Sequence, residues 1–335
     1  MIRRLSGKRV VRYDPMLPSA GLFGSFLSGE RPKLDVECEF ASVKWHLRGP
    51  DMLGVAEQTV LLVLMELAHE QYGNGCALNV DWQPLVRSIG AQDMAEVGQS
   101  SSEGRPVALA GLSVSYGELV RRCGRRDDGG SAARQLRMQL RRLCEVSVWF
   151  EQPKGVERRS QLLQWRVGDA HGVDVVLNSR LTEILLGNQY SPVSLAERLR
   201  LESDIARALH CALSVHIRPG ETRAYAVDEL AAFVWLGSEI ADSTKRRRRQ
   251  QLRKALAEIA RLTGWTLKPH AGATLDQAVN LTFYRNKLAY VPGAGSQLKS
   301  VSEFDDEPHH SSTREEEDDS SGPLDISSWF TTPKS

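Results

Sequence analysis

Eight of the nineteen residues in the segment 243–261, Ser-Thr-Lys-Arg-Arg-Arg-Arg-Gln-Gln-Leu-Arg-Lys-Ala-Leu-Ala-Glu-Ile-Ala-Arg, are basic, and four of them are consecutive arginines. An arginine presents a planar fork of donors that matches two phosphate oxygens or the O6/N7 edge of guanine, and a glutamine amide matches adenine. At about 100° per residue, Leu252, Ala255, Leu256 and Ile259 fall on one side of a helix. Arg246, Arg247, Gln250, Arg253, Lys254 and Arg261 spread over the other. One face suits a core and the other a large anion, with nucleic acid the leading candidate. Arg246, Arg247 and Gln250 are the expected base readers, and Lys245, Arg249, Arg253 and Lys254 the expected phosphate holders.

A charge run is ordinarily a solvated face. Here like charges at i,i+3 and i,i+4 destabilise the free helix, and cations at its start oppose the macrodipole. A polyanion would relieve both. The formal net charge of +1 hides an asymmetry, because residues 291–335 hold ten acidic and three basic side chains. That segment carries a net −7 and leaves +8 on residues 1–290. A basic body with an acidic tail is the expectation.

Other chemistries find little support. The five cysteines (Cys38, Cys76, Cys123, Cys144, Cys211) form no C-x-x-C pair, so neither a zinc site nor a disulfide framework is expected, and a reducing cytoplasm is the plain inference. Gly7-Lys8 lacks the upstream glycine and the hydroxyl of a phosphate-binding loop, which disfavours an ATP-driven motor. No nucleophile–base or paired-carboxylate constellation stands out. The expectation is no enzyme, no cofactor and no metal. His69, His210 and His216 lie on apolar segments and read as core, as do Trp149, Trp165, Trp235 and Trp265. His309 and His310 sit in the acidic tail. No apolar run reaches the length of a membrane span, and the basic N-terminus lacks a secretory signal's apolar stretch.

The elements that must position the basic helix follow from periodicity. At 335 residues, two domains plus extensions are expected. Residues 1–30 read as an arm. Leu34, Val36, Cys38 and Phe40 alternate as a strand, Gln58 to His69 reads as a buried helix, and 91–106 as a polar loop. Then come a strand at Leu112–Val114 and a short helix opened by the capping box Ser115/Glu118. A helix follows at Ser131–Glu145, then a hairpin pairing Val146–Phe150 with Leu162–Val167 through a basic turn at Gln152–Arg159. Arg134 and Arg141 on that helix, and Arg158 and Arg159 in the turn, are further candidate DNA contacts. From Val173 the order recurs: strand, short helix, an apolar helix at Ser203–Ser214, a strand at Ala224–Val227, a helix at Val227–Trp235, the basic helix, and a closing hairpin of Trp265–Leu267 with Val279–Tyr284.

The expected class is therefore α+β, with tandem winged-helix (winged helix-turn-helix) domains at 31–172 and 173–291 and a disordered acidic tail at 292–335. The tail's last apolar residues, Leu324–Phe330, are open to two readings: stray aromatics or a docking peptide.

Several stretches resemble the iteron-binding replication initiators of broad-host-range plasmids, the IncQ-type RepC group in particular. They are Glu202-Ser-Asp-Ile-Ala-Arg-Ala-Leu-His210, Ile217-Arg-Pro-Gly220, Phe233-Val-Trp235, Ser243 through Leu256, and Gly264-Trp-Thr266. Weaker matches occur at Gly21-Leu-Phe23 and Arg31-Pro-Lys-Leu-Asp-Val36. The resemblance implies binding to direct repeats in the double-stranded DNA of a plasmid origin, melting of an adjacent AT-rich segment and recruitment of a replicative helicase. It implies that the basic helix is the principal major-groove reader. Self-association through the first domain is compatible with the layout. A winged-helix transcriptional repressor without strand opening, or a protein–protein adaptor, would share many of these features.

Overall fold

The amphipathic and alternating segments assemble, in a computed structural model, into a mixed α+β body. Residues 9–26, 31–73, 109–125, 130–152, 156–167, 172–187, 189–235, 242–270 and 274–287 are described. The 91–106 loop, the acidic tail with Leu324–Phe330, His309, His310, Cys76 and the side chain of Arg158 lie outside them. In chain order the elements of the first half are β1 (Val10–Tyr13), α1 (Met16–Ser19), β2 (Phe23–Gly24), β3 (Leu34–Phe40), β4 (Val43–Gly49), β5 (Leu53–Gly54), α2 (Val55–Gly73), β6 (Gly111–Ser115), α3 (Tyr116–Arg122) and α4 (Gly130–Cys144). After them come β7 (Ser147–Gln152), β8 (Val156–Gln161), β9 (Leu163–Val167), β10 (Gly172–Leu177), α5 (Ser179–Leu186), β11 (Ser191–Ser194) and α6 (Leu195–Arg198). The chain continues through α7 (Asp204–His216), β12 (Thr222–Ala226), α8 (Val227–Ala232), α9 (Asp242–Ile259), β13 (Trp265–Pro269) and β14 (Asn280–Arg285).

Helix α2 explains the first core. Val60 through Met65 are all buried, so this helix is apolar on every side and occupies the centre rather than the surface. Leu136, Leu140 and Leu143 of α4 and Leu119 of α3 pack into the same cluster. Ser115 caps α3 as its sequence foretells, its Oγ accepting from Glu118 N at 3.1 Å.

Strand pairing departs from the expectation in three places. The return strand for β7 is β8, polar in sequence, and the pair joins β3 and β4 in an antiparallel sheet of order β3-β4-β7-β8. Leu163–Val167 pairs instead with β10, and β10 with β6, in a sheet of order β6-β10-β9. The strand expected to open the second half therefore completes the first. Nor do residues 9–26 form a free arm. β1 pairs with β11, some 180 residues downstream, and Val11, Tyr13, Met16, Leu17 and Leu22 are buried.

The second core agrees with the sequence more closely. Sheet β12-β14-β13 is antiparallel, with Leu281 and Phe283 buried beneath α9 and α7. Ser203 caps α7, its Oγ accepting from Ala206 N at 3.1 Å, and Glu258 of α9 accepts from the amides of Glu202 and Ser203 at 2.7 and 3.1 Å. These bonds fix the basic helix against the start of α7.

The two cores meet along α2 and α7. Val55 of α2 belongs to the second cluster, and Cys211 and Val215 of α7 to the first. Two fully buried arginines lie at this seam. Arg198 donates to the carbonyls of Val55 and Arg207 and to Thr59 Oγ1, and Arg285 to the carbonyls of Ser214, Ile217 and Pro192. Burial lowers the Arg198 pKa, yet each guanidinium is held by backbone oxygens, which satisfies donors a dry environment would otherwise penalise.

Candidate nucleic-acid interface

Helix α9 divides lengthwise. Leu252, Ala255, Leu256 and Ile259 are buried, as the wheel predicts, and each large one contributes roughly 1.5–3 kcal/mol of burial. Upstream of Leu252 no residue of α9 is buried. Ten residues at about 1.5 Å each make this unburied portion roughly 15 Å long. The apolar half is thus a root, and the basic half projects from the body.

Around the projecting half the side chains split into two groups. Lys245, Arg246, Arg247, Arg249, Gln250 and Lys254 are exposed, and Arg253 is half-buried. Arg249 makes a bidentate pair with Asp228 of α8, both N–O distances being 2.6 Å. The pairing lowers the Asp228 pKa, through the Arg249 hydrogen bond first and then the charges of Arg249, Lys245 and Arg253. Arg248 is half-buried with its guanidinium over the ring of Trp235, 5.1 Å from the centroid. Lys245 Nζ lies 3.3 Å from Asp242 in the helix's own first turn, where an acidic residue also offsets the macrodipole. The like-charge strain read from the sequence is therefore partly relieved inside the protein. Arg246 and Arg247 have no protein partner among the described residues and point away from Leu252, as Gln250 does.

Behind α8, His216 is buried and stacks on Phe233 at 4.4 Å between centroids. Burial, aided by the charge of Arg223, brings its pKa down to about 4. His210 is fully buried beside Glu197, and burial lowers its pKa. Glu197 also accepts from Gly264 N at 2.8 Å; a Cβ at Gly264 would meet the Glu197 carboxylate and push it aside. Both histidines are core residues. Trp235 and Trp265 are buried too, while Trp149 and Trp165 are half-buried.

The helix α4 face is less open. Arg134 and Arg141 are exposed, but Arg141 pairs with Glu145 at 2.8 Å. Arg142 turns inward to the buried Glu57, which also receives Arg31. Burial pushes the Glu57 carboxyl up, and the two arginines outweigh it and leave the pKa lowered. Arg137 covers the Tyr116 ring, and Met138 stands about half exposed between these arginines. Arg159 is on β8, exposed, over the Trp149 ring and donating to Ser147 Oγ. It lies on a four-stranded sheet, separate from the β9–β10 pair that follows α4 as β13–β14 follows α9. The sequence marks Trp235 as core and gives no sign of its contact with Arg248, and it leaves out Asp228 and Arg248, although Arg248 and Arg249 sit four and three residues before Leu252 and so share its side of the helix. Among the described residues no three His, Cys, Asp or Glu side chains converge as a metal site would require, and no helix is long and apolar enough to cross a membrane.

A helix rooted by its apolar half, with exposed arginines on the other, is a surface suited to a polyanion such as nucleic acid. Crystal structures of RctB domains 2–3 share its fold at a TM-score of 0.51. One is 11% identical and covers 82% of this chain and 98% of that one; a selenomethionine derivative is 12% identical, covering 81% and 97%. The Pi initiator protein in complex with iteron DNA aligns at 15% identity over 83% of this chain and 97% of that one, with a TM-score of 0.45. No curated protein matches the sequence significantly. The chain belongs to the Replication protein C (RepC) family, whose model matches residues 8–276. It is a member of a replication-initiator family, and the acidic tail lies beyond the matched region.

Proposed function

We propose that the protein is a non-catalytic, sequence-specific plasmid initiator that binds direct repeats at an origin through two winged-helix units. Helices α7, α8 and α9 with sheet β12-β14-β13 follow the order of such a unit, α9 being its groove-reading helix. Helices α2, α3 and α4 with sheet β6-β10-β9 repeat that order, with the β7–β8 hairpin inserted. The pairing of β10 favours a first unit of 31–187 over 31–172, with the second completed by β14. Arg246, Arg247 and Gln250 read bases; Lys245, Arg253 and Lys254 hold phosphates, and Arg134, Arg141, Arg158 and Arg159 supply weaker backbone contacts. Origin opening and delivery of a replicative helicase follow, with self-association through the first unit.

The observation that carries this reading is the exposed basic half of α9, with Arg246, Arg247 and Gln250 directed away from its root. Footprinting of the purified protein on tandem repeats near its gene, with permanganate probing of unpaired thymines on a supercoiled origin plasmid, tests it. Protected repeats with adjacent reactive thymines are expected. Protection without opening, and replication indifferent to the protein, would instead indicate a repressor of the same architecture.

A further inference from the structure

We infer that the arginine quartet is functionally divided: Arg248 and Arg249 are positioning residues that dock the projecting half of α9 onto α8, and only Arg246 and Arg247 meet DNA. The inference rests on the reading of α9 as the groove-reading helix and assigns new roles to Asp228 and Trp235.

Helical geometry makes the division. Relative to Leu252, residues 248 and 249 lie about 40° and 60° to either side, whereas 246 and 247 lie beyond about 120°. Because Leu252 is buried, the first pair must face the body and the second must face away. The body answers each of these two arginines with a matched group. Asp228 meets the Arg249 fork with both carboxylate oxygens, and the Trp235 ring lies under the Arg248 guanidinium. Asp228 and Trp235 stand at the two ends of the turn-and-a-half helix α8 and the residues that follow it, so they grip α9 at two points. Without them, the half of α9 upstream of Leu252, which buries no side chain, would lose its ion pair and its ring contact with α8 and the residues after it. Asp228 would also repel a phosphate placed against Arg249, since its charge already occupies that fork.

Two measurements on the full-length protein decide the matter. The first is the dependence of repeat affinity on salt, in which each phosphate contact contributes about 0.9 to the slope of log K against log salt. Arg249→Ala and Asp228→Ala should each weaken repeat binding by about 2–5-fold, as an exposed bidentate pair does, and the double variant should be no weaker than either single one. Both should leave the salt slope unchanged, whereas Lys254→Ala, at a phosphate holder, should reduce it by about one contact. Asp228→Glu should restore affinity. A slope lowered in Arg249→Ala as in Lys254→Ala, or additive single effects, would overturn the division.

The second measurement is amide hydrogen exchange without DNA. Asp228→Ala and Trp235→Leu should speed exchange across 243–250 while leaving 252–259 protected. Unchanged exchange in both variants overturns the docking role. This readout needs no DNA, so a wild-type protein that fails to select repeats would sink the proposed function while leaving the docking measurable.

Discussion

Arg198 Nη2 donates to the carbonyl of Val55 at 3.2 Å, tying the end of α6 to the first residue of the central helix α2 without exposing any of the guanidinium. Its Nη1 reaches the carbonyl of Arg207 in α7, so a single side chain bridges the two cores. Truncation leaves several oxygens without their donor and a cavity at the seam. Arg198→Ala is expected to cost about 2–4 kcal/mol, read as a lower urea midpoint. Arg198→Lys should recover part of this, because one ammonium cannot span three acceptors.

Base readers and phosphate holders separate in an alanine series on α9. Arg246→Ala, Arg247→Ala and Gln250→Ala should each lose about 1–3 kcal/mol against the cognate repeat and little against repeats mutated at the contacted base pair. Lys245→Ala and Lys254→Ala should weaken all sequences alike. Competitive shift assays with single-base-pair repeat variants give the result directly, and a uniform loss in all five would refute base reading.

The contrast between α9 and the first sheet shows what sequence patterns can carry. The apolar stripe of α9 is set by contacts three and four residues apart, so Leu252, Ala255, Leu256 and Ile259 were legible from spacing alone. Strand partners are set by long-range pairing. Leu163–Val167 alternates equally well for β7 or β10, and only the sheet as a whole selects β10. β8 contains Arg158, Arg159 and Gln161 and carries no apolar alternation, which hid it inside an expected turn. β1 is four residues long with a partner far downstream, beyond any local pattern. Asp228 was invisible for a related reason: a lone carboxylate becomes informative only when a guanidinium is seen to meet it.

Stability should fall in mild acid through His216. Its folded pKa of about 4 lies below the ordinary 6.5, so between these values the unfolded chain binds a proton that the folded one excludes. Stability from this residue is fully present above about pH 6.5 and is lost as pH falls towards 4, by up to about 3 kcal/mol. His216→Phe keeps a ring against Phe233 and removes the titrating group. Melting curves from pH 7 to 5 should decline less steeply in this variant than in the wild type; parallel declines would show that other groups dominate.

Removing residues 291–335 changes the formal charge from +1 to +8. A more positive body attracts any DNA more strongly, with an advantage that shrinks as salt screens it. The truncated protein should bind random-sequence duplex roughly tenfold more tightly at 50 mM salt. At several hundred millimolar the difference should be small. Fluorescence anisotropy over a salt series checks this, and equal affinities at low salt would mean the acidic segment does not act through charge.

Under the proposed function, the seam held by Arg198 and Arg285 would also govern how the two units meet a repeat. If α4 and α9 enter grooves about one helical turn apart, their separation is set by a junction packed through shared core residues rather than by a slack linker. Inserting five base pairs between the two contacted segments turns one of them to the far side of the duplex and should abolish the second contact. Inserting ten restores the facing side but moves it about 34 Å along the axis, and a clamped body cannot follow. Both insertions should therefore reduce the footprint to the α9 half, with affinity falling to that of a single half-site. Full protection after the ten-base-pair insertion would show that the units separate freely. Partial recovery in Arg198→Ala, but not in wild type, would identify this arginine as part of what fixes their spacing.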